Sequence, residues 1–130
     1  GSETMPTVLP GCAFFLNLPL SPVRDMINAG LPVAMASDFN PGTSPSGNMQ
    51  FIMSAACIRY KMTPEEAFNA TTLNTAYAMD VSHELGSITK GKLANVIITK
   101  PMNGLEFMPY YYGANKVDKV IIKGKLKVEN

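Results

Sequence analysis

An α/β chain, in which a parallel sheet gives way to a β-rich tail, is predicted by three observations. The stretch LPVAMAS at 31–37 is apolar without polar alternation, the pattern of a strand covered on both faces. A helix signal separates it from an earlier extended run, MPTVLP at 5–10, so strand, helix and strand make a βαβ unit. Beyond about residue 84 the apolar period shortens from helical to alternating.

The elements follow in order. GCAFFLNLPL continues the first strand as an apolar, turn-rich connector. Ser21 caps a helix with Pro22 at its first position; Val23, Met26 and Ile27 form its apolar face, and Gly30 stands where it stops. After LPVAMAS, the segment NMQFIMSAACIRYKM at 48–62 places Met49, Ile52, Met53 and Ala56 on one face, with Phe51, Ala55 and Ile58 beside them. That spread predicts a widely buried helix. Thr63, Pro64 and Glu66 in TPEE form a capping-box start for a helix through Ala70, and LNTAYAM adds a third helical piece. GSITKGK reads as turn, ANVIIT as a strand, and VDKVIIKGKLKVEN as two strands about a Lys123-Gly124 turn. Between them PMNGLEFMPYYYGANK reads as loop, because Pro, Gly and Asn punctuate it.

Composition bounds the functions open to such a chain. At 130 residues and 46% hydrophobic it has the size of one domain and can bury a core, which disfavours disorder and fibrous repeats. Lys plus Arg number 11 against 10 Asp plus Glu, with no basic run, so neither nucleic acid nor a membrane surface is an expected partner. Cys12 and Cys57 stand alone, without CxxC, which fits a reduced, cytoplasmic protein in which both are small core residues. No cationic leader with an apolar core is present, and no apolar stretch approaches the roughly 20 residues of a membrane span, so the chain reads as soluble. The opening, GSETMPTVLPG, has no initial Met and suits an expression scar or the interior of a longer polypeptide.

The candidate site lies where LPVAMAS runs out, at Asp38 in VAMASDFNPGTSP. Loops leaving the carboxyl ends of parallel strands converge, and α/β folds put their chemistry there. A carboxylate at that address can ligate a metal, take a proton from metal-bound water, or cap the next turn through an Asx bond; spacing alone favours the cap. The following NPGTSPSG adds glycines that let a ligand approach the backbone, and Asn40, Thr43 and Ser44 as neutral donors and acceptors for a polar organic molecule. GxxxxGK[ST] and GxGxxG are absent, which weakens phosphate binding. His83 is the one histidine, so HxH, HExxH and His/Cys clusters are missing; in VSHELG it reads as a solvated loop residue. Without a GxSxG elbow or a histidine beside either cysteine, nucleophilic catalysis has no local support. MQFIM reads as core filling, and Tyr110 to Tyr112 as aromatics packed under a loop.

TVLPGCAFFLN, ASDFNPGTSPSGNMQFIMSAACIRYKMTPEEAFNATTLNTAYAM and GSITKGKLANVIITK together resemble the C-terminal part of the imidazolonepropionases, metal-dependent amidohydrolases of histidine degradation. The match extends over nearly the whole chain, and SDFNPGTSP is its most specific part. The resemblance implies the C-terminal part of a (β/α)8 amidohydrolase barrel plus part of a small β-sandwich, with residues 1–83 in the barrel and 84–130 in the sandwich. It implies a hydrolase in which water opens the ring of 4-imidazolone-5-propanoate to N-formimidoyl-L-glutamate. By the same motif, Asp38 is the catalytic residue and a ligand of the divalent metal, zinc or iron, while Asn40, Gly42 and Thr43 contact the substrate or product. The family's His-x-His pair, its later metal-binding histidine and the groups holding the propanoate arm lie upstream of anything present. Because such a barrel takes about 250 residues, the resemblance implies a C-terminal fragment, inactive by itself. Strands cut from their neighbours leave backbone groups unpaired on both edges, so a homo-oligomer and poor metal binding are expected of the isolated chain. The rival readings are another cyclic-amide hydrolase or deaminase of the superfamily, and a non-catalytic structural module.

Overall fold

In a computed structural model, which describes residues 4–129, helices combine with a two-stranded sheet, whose strands enter the core, and a three-stranded sheet formed by the tail. Gly1, Ser2 and Glu3 of the opening segment and Asn130 of the expected last strand lie outside the described residues. The first sheet pairs β1 (Thr7–Val8) with β2 (Ala34–Met35) in parallel, Thr7 opposite Ala34 and Val8 opposite Met35. The N–H of Ala34 donates to Pro6 O at 2.9 Å and that of Ala36 to Val8 O at 3.1 Å, so the pairing runs past both strand ends. Two helices make the crossover, α1 (Pro10–Phe15) and α2 (Val23–Asn28).

The first helix replaces the predicted connector. Pro10 occupies its first turn, where a missing N–H costs nothing, and six residues suffice before Asn17 turns left-handed at φ 52°. The second begins one residue later than expected. Pro22 takes the cap position with no side-chain bond, and Ser21 contributes its carbonyl, which accepts from Val23 N at 2.8 Å. Gly30, at φ 78°, ends the helix as predicted, its N–H donating to Ile27 O.

The long helix α3 (Met49–Tyr60) starts at Asn48, whose Oδ1 accepts from Gln50 N and Phe51 N, and stops at Lys61 in the left-handed region. Ile52, Met53, Ala55 and Ala56 are buried as predicted, and Met49 packs against the core, but Ile58 is exposed. The buried face is wider because Gln50 and Ser54 also turn inward. Next come α4 (Pro64–Thr71), with both halves of its capping box formed, and α5 (Leu73–Ala78). Met35 and Ile52 sit at the centre of the core with Val8, Val23 and Val33; Met53, Tyr60, Met62, Ala67, Ala70 and Met108 enclose them.

The tail forms an antiparallel sheet of β3 (Val96–Thr99), β4 (Val117–Ile122) and β5 (Lys125–Glu129) in that order. Lys123 and Gly124 close the predicted hairpin, both at positive φ, as a two-residue turn requires for the strand twist. Inside the predicted loop sits a short helix, α6 (Phe107–Tyr110), whose Met108 and Pro109 are buried against α3. The tyrosines are not packed beneath it. Tyr110 and Tyr112 are exposed; Tyr111 stacks on Phe107 at 5.7 Å, with Lys116 Nζ 3.8 Å from its ring centroid. Cys12 and Cys57 are free thiols and only half-buried, outside the core proper; burial and the nearby Glu65 and Glu66 push the Cys57 thiol up.

Candidate functional site at the carboxyl end of the second strand

Three residues after the end of β2, Asp38 adopts φ 51°, a conformation that costs a non-glycine residue about 1–3 kcal/mol. It is half-buried, and its carboxylate makes no hydrogen bond or ion pair among the described residues. The Asx turn expected of it belongs to Asn40. Asn40 Oδ1 accepts from Gly42 N at 3.0 Å, Thr43 N at 2.8 Å and Thr43 Oγ1 at 3.2 Å, while Nδ2 donates to Asp38 O at 2.7 Å. Ser44, read from sequence as a ligand donor, is buried and donates to Ser37 O at 2.6 Å. Its carbonyl accepts from Asn40 N at 3.0 Å, closing the loop into a narrow bridge.

The loop therefore brings Asp38, Asn40, Gly42 and Thr43 together on one hydrogen-bonded turn. Asn40 retains one Nδ2 hydrogen, Gly42 its carbonyl and Thr43 its hydroxyl lone pairs for a ligand. Gly11 of α1 makes this packing possible. A Cβ there would lie 2.5 Å from Ser44 Oγ and 3.2 Å from Ser37 O. A crevice of about 310 Å³ beside the loop is lined by Gly11, Phe14, Ser44, Pro45, Phe51 and Tyr112; Asp38 is not in its wall.

Two further interactions support the strand and the helix behind the loop. The N–H groups of Ala34 and Ala36 face β1, so by alternation Val33 O and Met35 O face away; they accept from Asn74 Nδ2 at 2.8 Å and Thr75 Oγ1 at 3.1 Å. This corrects the expectation of two bare edges: two outer carbonyls of the β2 segment are covered by side chains. On α3, Gln50 Nε2 donates to Tyr111 O and Ala114 O at 2.7 and 2.8 Å, and Oε1 accepts from Lys116 N at 3.2 Å. Ser54 Oγ lies 2.6 Å from Pro109 O. Sequence reading missed both residues, although polar side chains at i and i+4 in an apolar helix are a signal of a buried polar clamp.

The residues present do not by themselves fit a metal. Among the described residues no three His, Cys, Asp or Glu side chains form a group able to hold one, and His83 is exposed, its Nε2 3.7 Å from Glu84 Oε1. A catalytic zinc usually takes three protein ligands, and this chain offers one carboxylate at the strand end.

Known proteins resemble this chain in sequence and in fold. The model of the amidohydrolase family matches residues 18–127. The imidazolonepropionase of Flavobacterium johnsoniae is 57% identical over 126 residues, which cover 97% of this chain and 31% of that protein. That of Alkaliphilus oremlandii is 46% identical, covering 98% of this chain and 30% of its own length. The chain thus spans about a third of the length of the curated relatives it matches. Among solved structures, an adenosine deaminase from Xanthomonas campestris with bound zinc superposes at a TM-score of 0.83, with 22% identity, over 95% of this chain and 31% of that one. Guanine deaminase from E. coli does so at 0.79, with 17% identity, over 98% and 35%. At these identities the structures speak for the fold alone, and they bear out part of an amidohydrolase (β/α) barrel with an appended sheet. A family match across most of the chain, on a fold that carries a carboxylate at the end of a parallel strand, means that this chain belongs to the amidohydrolase family.

Proposed function

We propose that the chain is the C-terminal part of an imidazolonepropionase, a cyclic amidohydrolase that opens the ring of 4-imidazolone-5-propanoate to N-formimidoyl-L-glutamate in histidine degradation. In the reaction water adds to the ring amide: a C–O bond forms, the C–N bond breaks, and the nitrogen takes a proton. The observation that carries this reading is the 57% identity to an imidazolonepropionase over 97% of the chain. The loop geometry agrees with it, since Asn40 makes the turn and leaves the Asp38 carboxylate uncommitted.

In this reading Asp38 is the catalytic carboxylate and contributes to a divalent metal, zinc or iron, in the complete enzyme. Zinc in the names of solved neighbours, the deaminase above and an atrazine chlorohydrolase from Arthrobacter aurescens, supports a metal of that class. Asn40, Gly42 and Thr43 orient the ring through the groups left free by the turn. The reading places residues 1–83 in the barrel and 84–130 in the small sandwich, the partner as a small molecule, and the protein in the cytoplasm as a homo-oligomer. Nucleic acid and membrane play no part in it; no helix of the described residues is long and apolar enough to cross a membrane.

The test is ring opening by a full-length enzyme carrying this segment, followed by loss of the imidazolone's ultraviolet absorbance, with Asp38→Asn alongside. Turnover that falls by at least about 100-fold in the variant supports the reading, a loss of the size that follows removal of a group acting on the reacting atoms. No turnover with metal supplied would transfer the case to the other cyclic-amide hydrolases and deaminases. Unchanged turnover in the variant would leave Asp38 a structural residue.

A further inference from the structure

The two peptide groups that flank Asp38 are each held by a side chain of the following loop. Asn40 Nδ2 holds Asp38 O at 2.7 Å, and Ser44 Oγ holds Ser37 O at 2.6 Å. Between these two bonds the Asp38 backbone stays left-handed, at φ 51°. We propose that Ser44 is a positioning residue, whose hydroxyl sets the direction in which the strand-end carboxylate of Asp38 points. The proposal rests on the reading of Asp38 as the working carboxylate.

Three observations carry it. Ser44 is 2% exposed although Pro45 and Ser46 beside it face solvent, so a polar group has been buried for the sake of one bond. Ser44 is also tied at its other end, its carbonyl accepting from Asn40 N, which links the two clamps into one unit. Finally, Gly11 stands over the Ser44–Ser37 bond, and any side chain there would strike the hydroxyl at 2.5 Å. The Ser44 hydroxyl is therefore committed to the Ser37 carbonyl, at 2.6 Å. Without it, the Ser37 carbonyl is released, the left-handed residue relaxes toward extended backbone, and the carboxylate turns away from the strand end.

The experiment compares Ser44→Ala, Gly11→Ala and the double variant in two settings. In the isotopically labelled 130-residue chain, backbone couplings at Asp38 report its φ directly; in a full-length enzyme, ring opening reports kcat and KM. We expect Asp38 to leave the left-handed region in Ser44→Ala while couplings in α3 and α4 stay as they were. We expect kcat to fall about 10- to 100-fold, the usual effect of losing a group that orients a functional residue, with KM unchanged. Gly11→Ala reproduces both effects, and added to Ser44→Ala it costs less than it does alone, because the nearer of the two atoms it would strike, Ser44 Oγ, is gone and only the 3.2 Å approach to Ser37 O is left. A Ser44→Ala protein that keeps φ at Asp38, or one that loses only stability or KM, overturns the proposal. If the unsubstituted full-length enzyme opens no ring, the functional reading fails instead, and the couplings at Asp38 alone decide the role of Ser44.

Discussion

Asn40 shows how one short side chain can organise the loop that carries a site. Its amide makes four hydrogen bonds within its own loop and thereby frees Asp38 from the capping role that strand-end aspartates often take. Asn40→Ala is expected to cost about 1–3 kcal/mol, because the Gly42 and Thr43 amides and the Asp38 carbonyl lose their partner. Chemical denaturation measures the cost, and faster hydrogen exchange at Gly42 and Thr43 localises it. Unchanged exchange at those amides would mean that water replaces the side chain at no loss. From sequence, the residue types of this turn were legible and their roles were not. Asp, Asn, Thr and Ser all accept and donate at similar reach, and which of them faces inward depends on Gly11, more than 25 positions away in the chain.

At the scale of elements, α2 and α4 are joined by a bidentate pair. Arg24 donates to both oxygens of Glu66, at 3.1 and 2.5 Å, and also to Lys61 O, the carbonyl at the end of α3. Glu66 Oε2 serves at the same time as the capping-box acceptor for Thr63 N, at 2.8 Å. One carboxylate therefore fixes a helix start and ties it to a second helix. The Arg24 guanidinium holds the Glu66 carboxyl below its ordinary value of 4.5, with the Thr63 N–H assisting. A lowered carboxyl stabilises the fold fully above that ordinary value, and the contribution disappears as pH falls through the lower, folded-state value. Unfolding midpoints recorded from pH 6 downward should drop below about 4.5, and Arg24→Met should flatten that drop; equal slopes in the two proteins would remove the pair from the acid transition. The capping box was readable as TPEE, whereas the arginine that doubles its use lies 42 residues away and could not be paired from pattern alone.

For the whole molecule, most of the architecture holds together through α3. It shares the core with the βαβ unit through Ile52 and Met53, and it holds α6 and the segment that follows it through Gln50 and Ser54. Even so, large apolar side chains remain exposed on both sides, among them Phe14, Phe15 and Phe39 near the strand ends and Ile97, Leu126 and Val128 on the tail sheet. Surfaces of this kind mark contact sites. The chain by itself is expected to self-associate, and a monomeric mass by light scattering at high concentration would refute that. It is also expected to bind zinc weakly, since a lone strand-end carboxylate falls short of a ligand set. Dialysis against zinc followed by metal analysis checks this; one tightly held ion per chain would show that ligands converge in a way the described residues do not.

The sequence by itself determined the class of the fold, the βαβ order, the widely buried third helix, the capping box, the Lys123-Gly124 hairpin and the strand-end position of Asp38. Each is written in local terms: apolar period, cap and turn chemistry, all within a few residues. Only the tertiary structure decided that the connector after β1 is a helix, that Gln50 and Ser54 face inward, that Asn74 and Thr75 cover carbonyls of the β2 segment, and that Asn40 and Ser44 hold Asp38 from either side. Apart from that helix, these arrangements join residues from distant parts of the chain or depend on space left by a distant glycine. Hydrogen-bond partners of that kind are chosen by packing, which no local pattern encodes.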